Sequence, residues 1–462
     1  MKKPVSFPPH RTGALFFRLL FLLLVLRSRA GGQPFPAVEP IDVPPAFGEA
    51  LGRTAGLLNA QETAPSPAVR VLVYGQSISM QNWWLAVKRY LQERYPQKRI
   101  IMENRAIGGF SAERLRLMVD NDVVPFYPDL ILFHDYGNEP DYEAIIRTLR
   151  SRTTADIAIQ TDHLGIGQNQ EWHDRHCSVW LPALCRTYGL GLLDVRSAWK
   201  AYLNRHQLEA KALLSDNVHL NEHGNFVMAE IIRHYLESLN GRTPAPSPAV
   251  RTLLPGREVA VRKDRVQISF TGNRIDLEMN PAGPATITAR LDGADLTVHP
   301  AGYFHTRPAL RPDGFFLTHI GLPLTLRLGG QPREEDWTMT ITSVDSVRQQ
   351  LRFRVSGSLT GEDGEGSSEG RFVSRSGRIG LDSAGWFRRK NPGDFRQFAW
   401  LKPGDRLHWR VFPAFQTPGS APADASVTVV LGVENRAHRL ELRGPGARHI
   451  RAIRVFRPPL QP

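Results

Sequence analysis

The sequence predicts a three-layer α/β/α unit built on a parallel sheet, followed by a C-terminal all-β sandwich region. Three observations predict it. Between residues 70 and 240, short β-forming apolar runs alternate with stretches of helical spacing, the pattern of a parallel sheet covered on both faces. Residues 241–250 then break the pattern as a linker, with Pro244, Pro246 and Pro248 in ten positions. From residue 251 onward, alternating apolar runs are separated by Gly, Pro and Asp turns, and long helical spacing is lacking.

The elements follow in order. Residues 70–74 (Arg-Val-Leu-Val-Tyr) read as a buried strand running into a turn at Gly75. Residues 83–95 have helical spacing and stop near Pro96, 99–102 form a second strand, and 111–119 a helix. A third strand at 130–133 is followed by a helix at 142–149, a fourth strand at 157–159, a helix at 178–188 and a fifth strand at 191–195. An amphipathic helix at 226–239 closes the unit. In the second half, strands are expected at 266–270, 286–289, 337–342, 351–355, 427–431, 440–442 and 450–456, with an inserted β subregion at about 310–396. The acidic run at 361–370 reads as a solvated turn. Its Glu362, Asp363 and Glu365 do not have the spacing of a calcium loop.

Composition sets the outer bounds. At 462 residues, 41% hydrophobic and 22% charged, the chain is a multidomain globular protein. Its formal charge is +13, and roughly +11 of that falls after Gly241, nearly all from Arg. Arg suits bidentate contacts to anions, so an anionic glycan is one partner to consider, with an Arg-rich proteome as the plainer explanation. No nucleic-acid-binding motif accompanies the charge, so nucleic acid is not expected as a partner.

Residues 1–30 read as a signal peptide. Lys2, Lys3 and Arg11 precede an apolar run at 14–26 broken only by Arg18, and Ser28-Arg29-Ala30 supplies small residues for cleavage. The run is well short of the ~20 residues a membrane span needs, which favours a secreted or periplasmic protein over an uncleaved anchor. Residues 31–69 then form a Pro- and Gly-rich linker and lead-in. Export permits a disulfide, but Cys177 and Cys185 stand eight positions apart on an expected helix. A rise of ~12 Å puts them out of bonding reach, and two buried thiols are expected.

Four short pieces carry the chemistry, at the ends of strands where open α/β sheets place their sites. The first is Gly75-Gln76-Ser77-Ile78-Ser79 and the last Ser215-Asp216-Asn217-Val218-His219. A serine hydroxyl is a weak nucleophile until a base takes its proton. An Asp three residues before a His can hold one ring nitrogen and leave the other for that serine. Between them lie Asn104-Arg105-Ala106-Ile107-Gly108-Gly109-Phe110-Ser111 and His134-Asp135-Tyr136-Gly137-Asn138-Glu139. Alone, each has an ordinary structural use: a helix N-cap for Ser77, a Gly-Gly turn, and a turn Asn.

In this order, the four pieces resemble the four sequence blocks of the SGNH hydrolase superfamily, the GDSL-type esterases, over about residues 71–239. Gln76 stands where that family usually has Asp, a variant like that of some carbohydrate esterases, and Glu139 replaces the last Asp of the third block. The resemblance implies Ser77 as nucleophile, His219 as general base and acid, and Asp216 as the residue holding His219. It also implies an oxyanion hole from the N–H groups of Ser77 and Gly109 (with Gly108 as alternate) and the Asn138 amide. Gln76, Gly108 and His163 are the candidates for lining the substrate pocket, and His223 is expected to start a helix rather than serve as a second base. Glu171, His173, Asp174 and His176 do not match a zinc pattern. Neither a metal nor another cofactor is expected.

The implied activity is hydrolysis of small acyl esters, chiefly acetyl, on carbohydrates. Two other readings use the same chain: a glycan O-acetyltransferase with the same residues, or an inactive glycan-binding surface protein.

Overall fold

The computed structural model describes residues 35–60, 68–240, 249–280, 287–310, 323, 325–348, 350–386, 401–414 and 426–461. The expected signal peptide and residues 241–248 of the expected linker at 241–250 lie outside them. The stretch expected as a linker and lead-in at 31–69 instead carries two short helices, Pro45–Glu49 and Gly52–Asn59, with Leu51, Ala55 and Leu58 buried in the core. The first half is an α/β layer structure, and the second consists of antiparallel sheets.

Five parallel strands form the first sheet: β1 (Val69–Gly75), β2 (Ile100–Asn104), β3 (Leu130–His134), β4 (Asp156–Gln160) and β5 (Gly191–Leu193). Their order is β2-β1-β3-β4-β5. Registers such as Val71 opposite both Met102 and Leu130 keep the pleats in phase. Successive side chains of a strand point to opposite faces, and here the two faces feed separate cores. Val69, Val71 and Val73 pack with Trp83, Val87 and Leu91 of the helix Trp83–Arg94, and with Ile231 of the helix Glu222–Glu237. Leu72 and Tyr74 pack the other way, with Phe133 and with Tyr142, Ile146 and Leu149 of the helix Glu139–Arg152. Each such buried side chain contributes about 1.5–3 kcal/mol, so both layers are firmly seated. The chain leaves β1 towards β2 on one side and reaches β3 on the other, which makes the carboxyl ends of β1 and β3 the switch point where a crevice opens.

The helix foreseen at 178–188 is longer and irregular: Gln170–Arg175 is α-helical, His176–Trp180 a π-helical turn, and Leu181–Tyr188 α-helical again. Cys177 and Cys185 on it are buried free thiols, with no disulfide between them. Among the described residues no helix is long and apolar enough to cross a membrane.

In the second half, Arg265–Met279 and Ser426–Arg443 form the centre of one antiparallel sheet, flanked by Ile450–Phe456 and Thr288–Leu291. Leu291 pairs directly with Leu440, so the chain between them makes a detour. That detour has its own five- and three-stranded sheets. It also has its own core around Trp337, Phe353, Trp386 and Trp409. The acidic run expected as a solvated turn is an edge strand, Gly361–Ser367, paired with Gln350–Gly357. Its Asp363 is buried and accepts hydrogen bonds from the Ser376 N–H and hydroxyl.

The two halves are joined by polar contacts set in an apolar patch. Val124 and Tyr127 pack with Phe304, Leu431 and Phe456. Arg307 reaches across to Asp122 with two bonds, 2.6 and 2.7 Å, and Tyr127 donates its hydroxyl to Asn273 at 2.7 Å.

Candidate active site

The site begins with a glycine. Gly75 ends β1 with φ +137°, and a Cβ there would lie 1.8 Å from the His134 carbonyl oxygen. Only glycine lets the ends of β1 and β3 come this close. The chain then turns at Gln76, whose side-chain oxygen caps the short helix Ser77–Met80 by accepting from the Ile78 N–H at 3.3 Å. Ser77 is the first residue of that helix, so its own N–H has no intrahelical acceptor.

From the far end of the unit, the segment 215–219 closes a tight turn in which Ser215 donates its N–H to the His219 carbonyl at 2.7 Å. Asp216 organises this turn. One carboxylate oxygen accepts from the N–H groups of Val218 and His219, each at 2.7 Å, and the other lies 2.7 Å from His219 Nδ1. The His219 backbone N–H, then the imidazole and the Val218 N–H, hold the Asp216 carboxyl well below the usual carboxylate range. It is therefore an anion that fixes the proton on Nδ1 and leaves Nε2 bare. His219 Nε2 lies 3.0 Å from Ser77 Oγ. A carboxylate, an imidazole and a hydroxyl thus stand in line at the switch point.

Several side chains hold the turn against the serine. Gln81 makes two bonds with Leu220: its carbonyl oxygen accepts from the Leu220 N–H at 2.8 Å, and its amide donates to the Leu220 carbonyl at 3.1 Å. This links the segment that carries Ser77 to the segment that carries His219. His163 Nε2 lies 2.7 Å from the Val218 carbonyl, and the Ile166 N–H donates to Asn217 at 2.8 Å. Gly224 lies in the first turn of the following helix, where a Cβ would be 2.1 Å from the Leu213 carbonyl oxygen.

The predicted site residues fall into three groups. Ser77, His219 and Asp216 come together as described. The Gly108-Gly109 turn lies beside them: a Cβ on Gly108 would sit 3.7 Å from Ser77 Cβ and 3.2 Å from Met80 Sδ. Gly109, at φ +74°, gives its carbonyl to Arg114, and no hydrogen bond among the described residues occupies its N–H. Asn138 does not join them. It is exposed and caps the helix Glu139–Arg152, accepting from the Asp141 N–H at 2.9 Å. Its two amide hydrogens are spent on Glu113 and Asp141, at 2.8 and 2.7 Å.

The pocket expectation changes too. Gln76 and His163 are buried, 4% and 1% exposed, Gln76 bonding Ser77 Oγ at 2.7 Å and His163 the Val218 carbonyl at 2.7 Å. Burial lowers the His163 pKa to about 4, so the ring is neutral as it props the His219 turn. His223 starts its helix and bonds Tyr202 at 2.7 Å. His173 and Asp174 have protein partners, Asp162 and Arg196 respectively, and His176 is stacked between Trp172 and Trp180. Among the described residues, no group of three or more His, Cys, Asp or Glu side chains is arranged to hold a metal ion.

Sequence reasoning missed one connected group. Ser77 Oγ lies 2.7 Å from Gln76 Oε1, and Gln76 Nε2 lies 3.1 Å from His134 Nδ1. His134 Nε2 is 3.0 Å from Asp162, which also binds His173 Nδ1. Burial alone would raise the Asp162 carboxyl, but bonds from His134 and His173 hold it well below the usual range. Beside it, burial pushes the Asp135 carboxyl well up. The available signal was Gln76 itself, because an amide next to a buried strand end needs a polar partner.

No family model matches the chain, and no curated protein matches it. Among solved structures, it is similar to a two-domain esterase active on acetylated mannans, co-crystallised with mannopentaose, at 11% identity over 86% of this chain and 92% of the other, TM-score 0.34. It is also similar to an acetylxylan esterase from Geobacillus stearothermophilus, at 19% identity over 38% of this chain and 97% of the other, TM-score 0.33. A third is an alpha/beta hydrolase from the metagenome of Lake Arreo, at 19% identity over 38% and 99%, TM-score 0.33. At TM-scores of this size, a functional reading rests on the site's own geometry.

Proposed function

We propose that the chain is an exported serine esterase that hydrolyses small acyl esters, acetyl above all, on carbohydrates. The single observation that carries the reading is the aligned Asp216–His219–Ser77 chain, with bonds of 2.7 and 3.0 Å, at the carboxyl end of β1. The basic and apolar leader at residues 1–26 supports export. Support for a carbohydrate substrate is lighter, and comes from the Gly-Gln-Ser turn and the attached β region.

In this reading, Ser77 Oγ attacks the ester carbonyl carbon while His219 Nε2 takes its proton. The carbonyl electrons move onto oxygen, where the N–H groups of Ser77 and Gly109 receive the charge. As the intermediate collapses, the C–O bond to the alcohol breaks and His219 returns the proton to the departing oxygen. Water then attacks the acyl-serine, again giving a proton to His219. The carboxylic acid leaves, and Ser77 regains its hydrogen. Asp216 keeps the imidazole in the tautomer that can accept.

The test is hydrolysis of a short aryl acetate, with fluorophosphonate labelling mapped by peptide mass. The wild-type protein should label at Ser77. Ser77→Ala and His219→Ala should lose at least 10³-fold in kcat/KM, the scale at which triad members act, with unchanged thermal midpoints. A pure Ser77→Ala protein with full activity ends the proposal.

A further inference from the structure

We propose that Gln76, His134, Asp162 and His173 form a second, buried relay that decides which end of the Gln76 amide meets Ser77, making His134 and Asp162 positioning residues for the nucleophile. The inference rests on the esterase reading above, since it concerns the same serine. Ser77 has one hydroxyl proton and two acceptors within reach, His219 Nε2 at 3.0 Å and Gln76 Oε1 at 2.7 Å. An amide presents an acceptor at one end and two donors at the other, so its orientation sets the chemistry beside the serine.

Each link of the relay fixes the next. Asp162 is a carboxylate and can only accept, so the proton of His134 sits on Nε2, 3.0 Å away. His173 serves the second carboxylate oxygen and holds Asp162 in place. With Nε2 protonated, His134 Nδ1 is bare and accepts from Gln76 Nε2 at 3.1 Å. The amide oxygen is thereby left facing Ser77 Oγ and the Ile78 N–H. Gln76, His134 and Asp162 are 4%, 1% and 1% exposed, so bulk water does not compete for these bonds.

The consequence lies on the hydroxyl. With the amide oxygen towards it, Ser77 can only donate to Gln76, and its lone pairs stay available for the substrate. In the attack, the Ser77 hydrogen turns from Gln76 Oε1 to the bare Nε2 of His219. A reversed amide would instead donate to Oγ, occupy a lone pair and weaken the attack. The relay thus acts on the chemical step and leaves binding untouched.

The experiment compares His134→Phe, which removes the acceptor in similar volume, with His134→Asn, whose side-chain oxygen can stand near the place of Nδ1. On an aryl acetate, His134→Phe should lose 10- to 100-fold in kcat with KM within twofold of wild type. His134→Asn should recover most of that loss. Equal kcat in wild type and His134→Phe overturns the relay, as does a loss in KM alone. An inactive wild type whose Ser77 takes no fluorophosphonate instead overturns the esterase reading. Should the variants fail to fold, nitrogen-15 spectra of the histidine-labelled full chain decide. The His134 ring, assigned through its contacts and told apart from buried His163, must show a bare Nδ1 and protonated Nε2 in the wild type, and a protonated Nδ1 on His134 sinks the proposal.

Discussion

Asp216→Asn separates the two jobs of Asp216. In the native turn, one oxygen takes the Val218 and His219 N–H groups and the other takes the imidazole. Asparagine keeps an oxygen for the backbone pair, so the turn should persist. Its N–H₂ then faces His219 Nδ1, which must give up its proton to accept. The proton moves to Nε2, and a protonated Nε2 cannot receive the Ser77 hydrogen. In a buried triad this exchange costs about 10⁴-fold. Here the Asp216 side chain is 57% exposed, so water can take up part of the mismatch. We therefore expect a fall in kcat/KM of about 10²- to 10³-fold, or about 3–4 kcal/mol of transition-state stabilisation, with a thermal midpoint close to wild type. Asp216→Ala removes the backbone acceptors as well and should lower the midpoint, since such caps contribute about 0.5–2 kcal/mol. Initial rates on an aryl acetate, paired with thermal melts, check both. An Asp216→Asn enzyme within threefold of wild type would refute the tautomer argument and leave Asp216 a turn residue only.

Two further predictions concern what surrounds the site. Burial lowers the His163 pKa to about 4, so between about 4 and 6.5 the folded chain binds fewer protons there than the unfolded chain. The stability owed to the neutral ring is complete above about pH 6.5 and is lost as pH falls towards 4. His163→Gln keeps a donor for the Val218 carbonyl but removes this titration. Its deficit against wild type at pH 7.5 should shrink by about 2 kcal/mol at pH 4.5, at about 1.4 kcal/mol per pH unit. Urea midpoints at the two pH values measure it, and a constant deficit contradicts the assignment. At the junction of the halves, Asp122→Ala strands the Arg307 guanidinium and should cost about 3–5 kcal/mol. The Asp122→Ala, Arg307→Met double variant should recover most of that stability in thermal melts, and two losses that simply add would show the pair to be uncoupled.

What the sequence made legible was local, and what it hid was brought together by pairing across the sheet. The apolar runs that became β1 to β5 carry their own signal, and so does the Asp-x-x-His spacing, because the Asp216 turn closes within five residues. For the second-half detour the sequence suggested an inserted β subregion at about 310–396, but the pairing of Leu291 with Leu440 that bounds it spans most of that half and leaves no local mark. The same holds for the partner of Gln76, which sits on β3 and is delivered by the register that sets Gly75 opposite His134.

Asn138 shows how a local signal can compete with a functional one. Asn-Glu-Pro-Asp is a helix start in its own right, with Asn as N-cap, a proline in the first turn and an acid to face the free N–H groups. The structure takes that option, and both amide hydrogens go to carboxylates rather than towards Ser77. In the proposed esterase reading, the charge on a tetrahedral intermediate is therefore assigned to backbone N–H groups at the helix start and the Gly108-Gly109 turn. Neither group depends on a side chain, so Gln76 and Glu139 leave both donors in place, and the line from Asp216 through His219 to Ser77 is held by other residues.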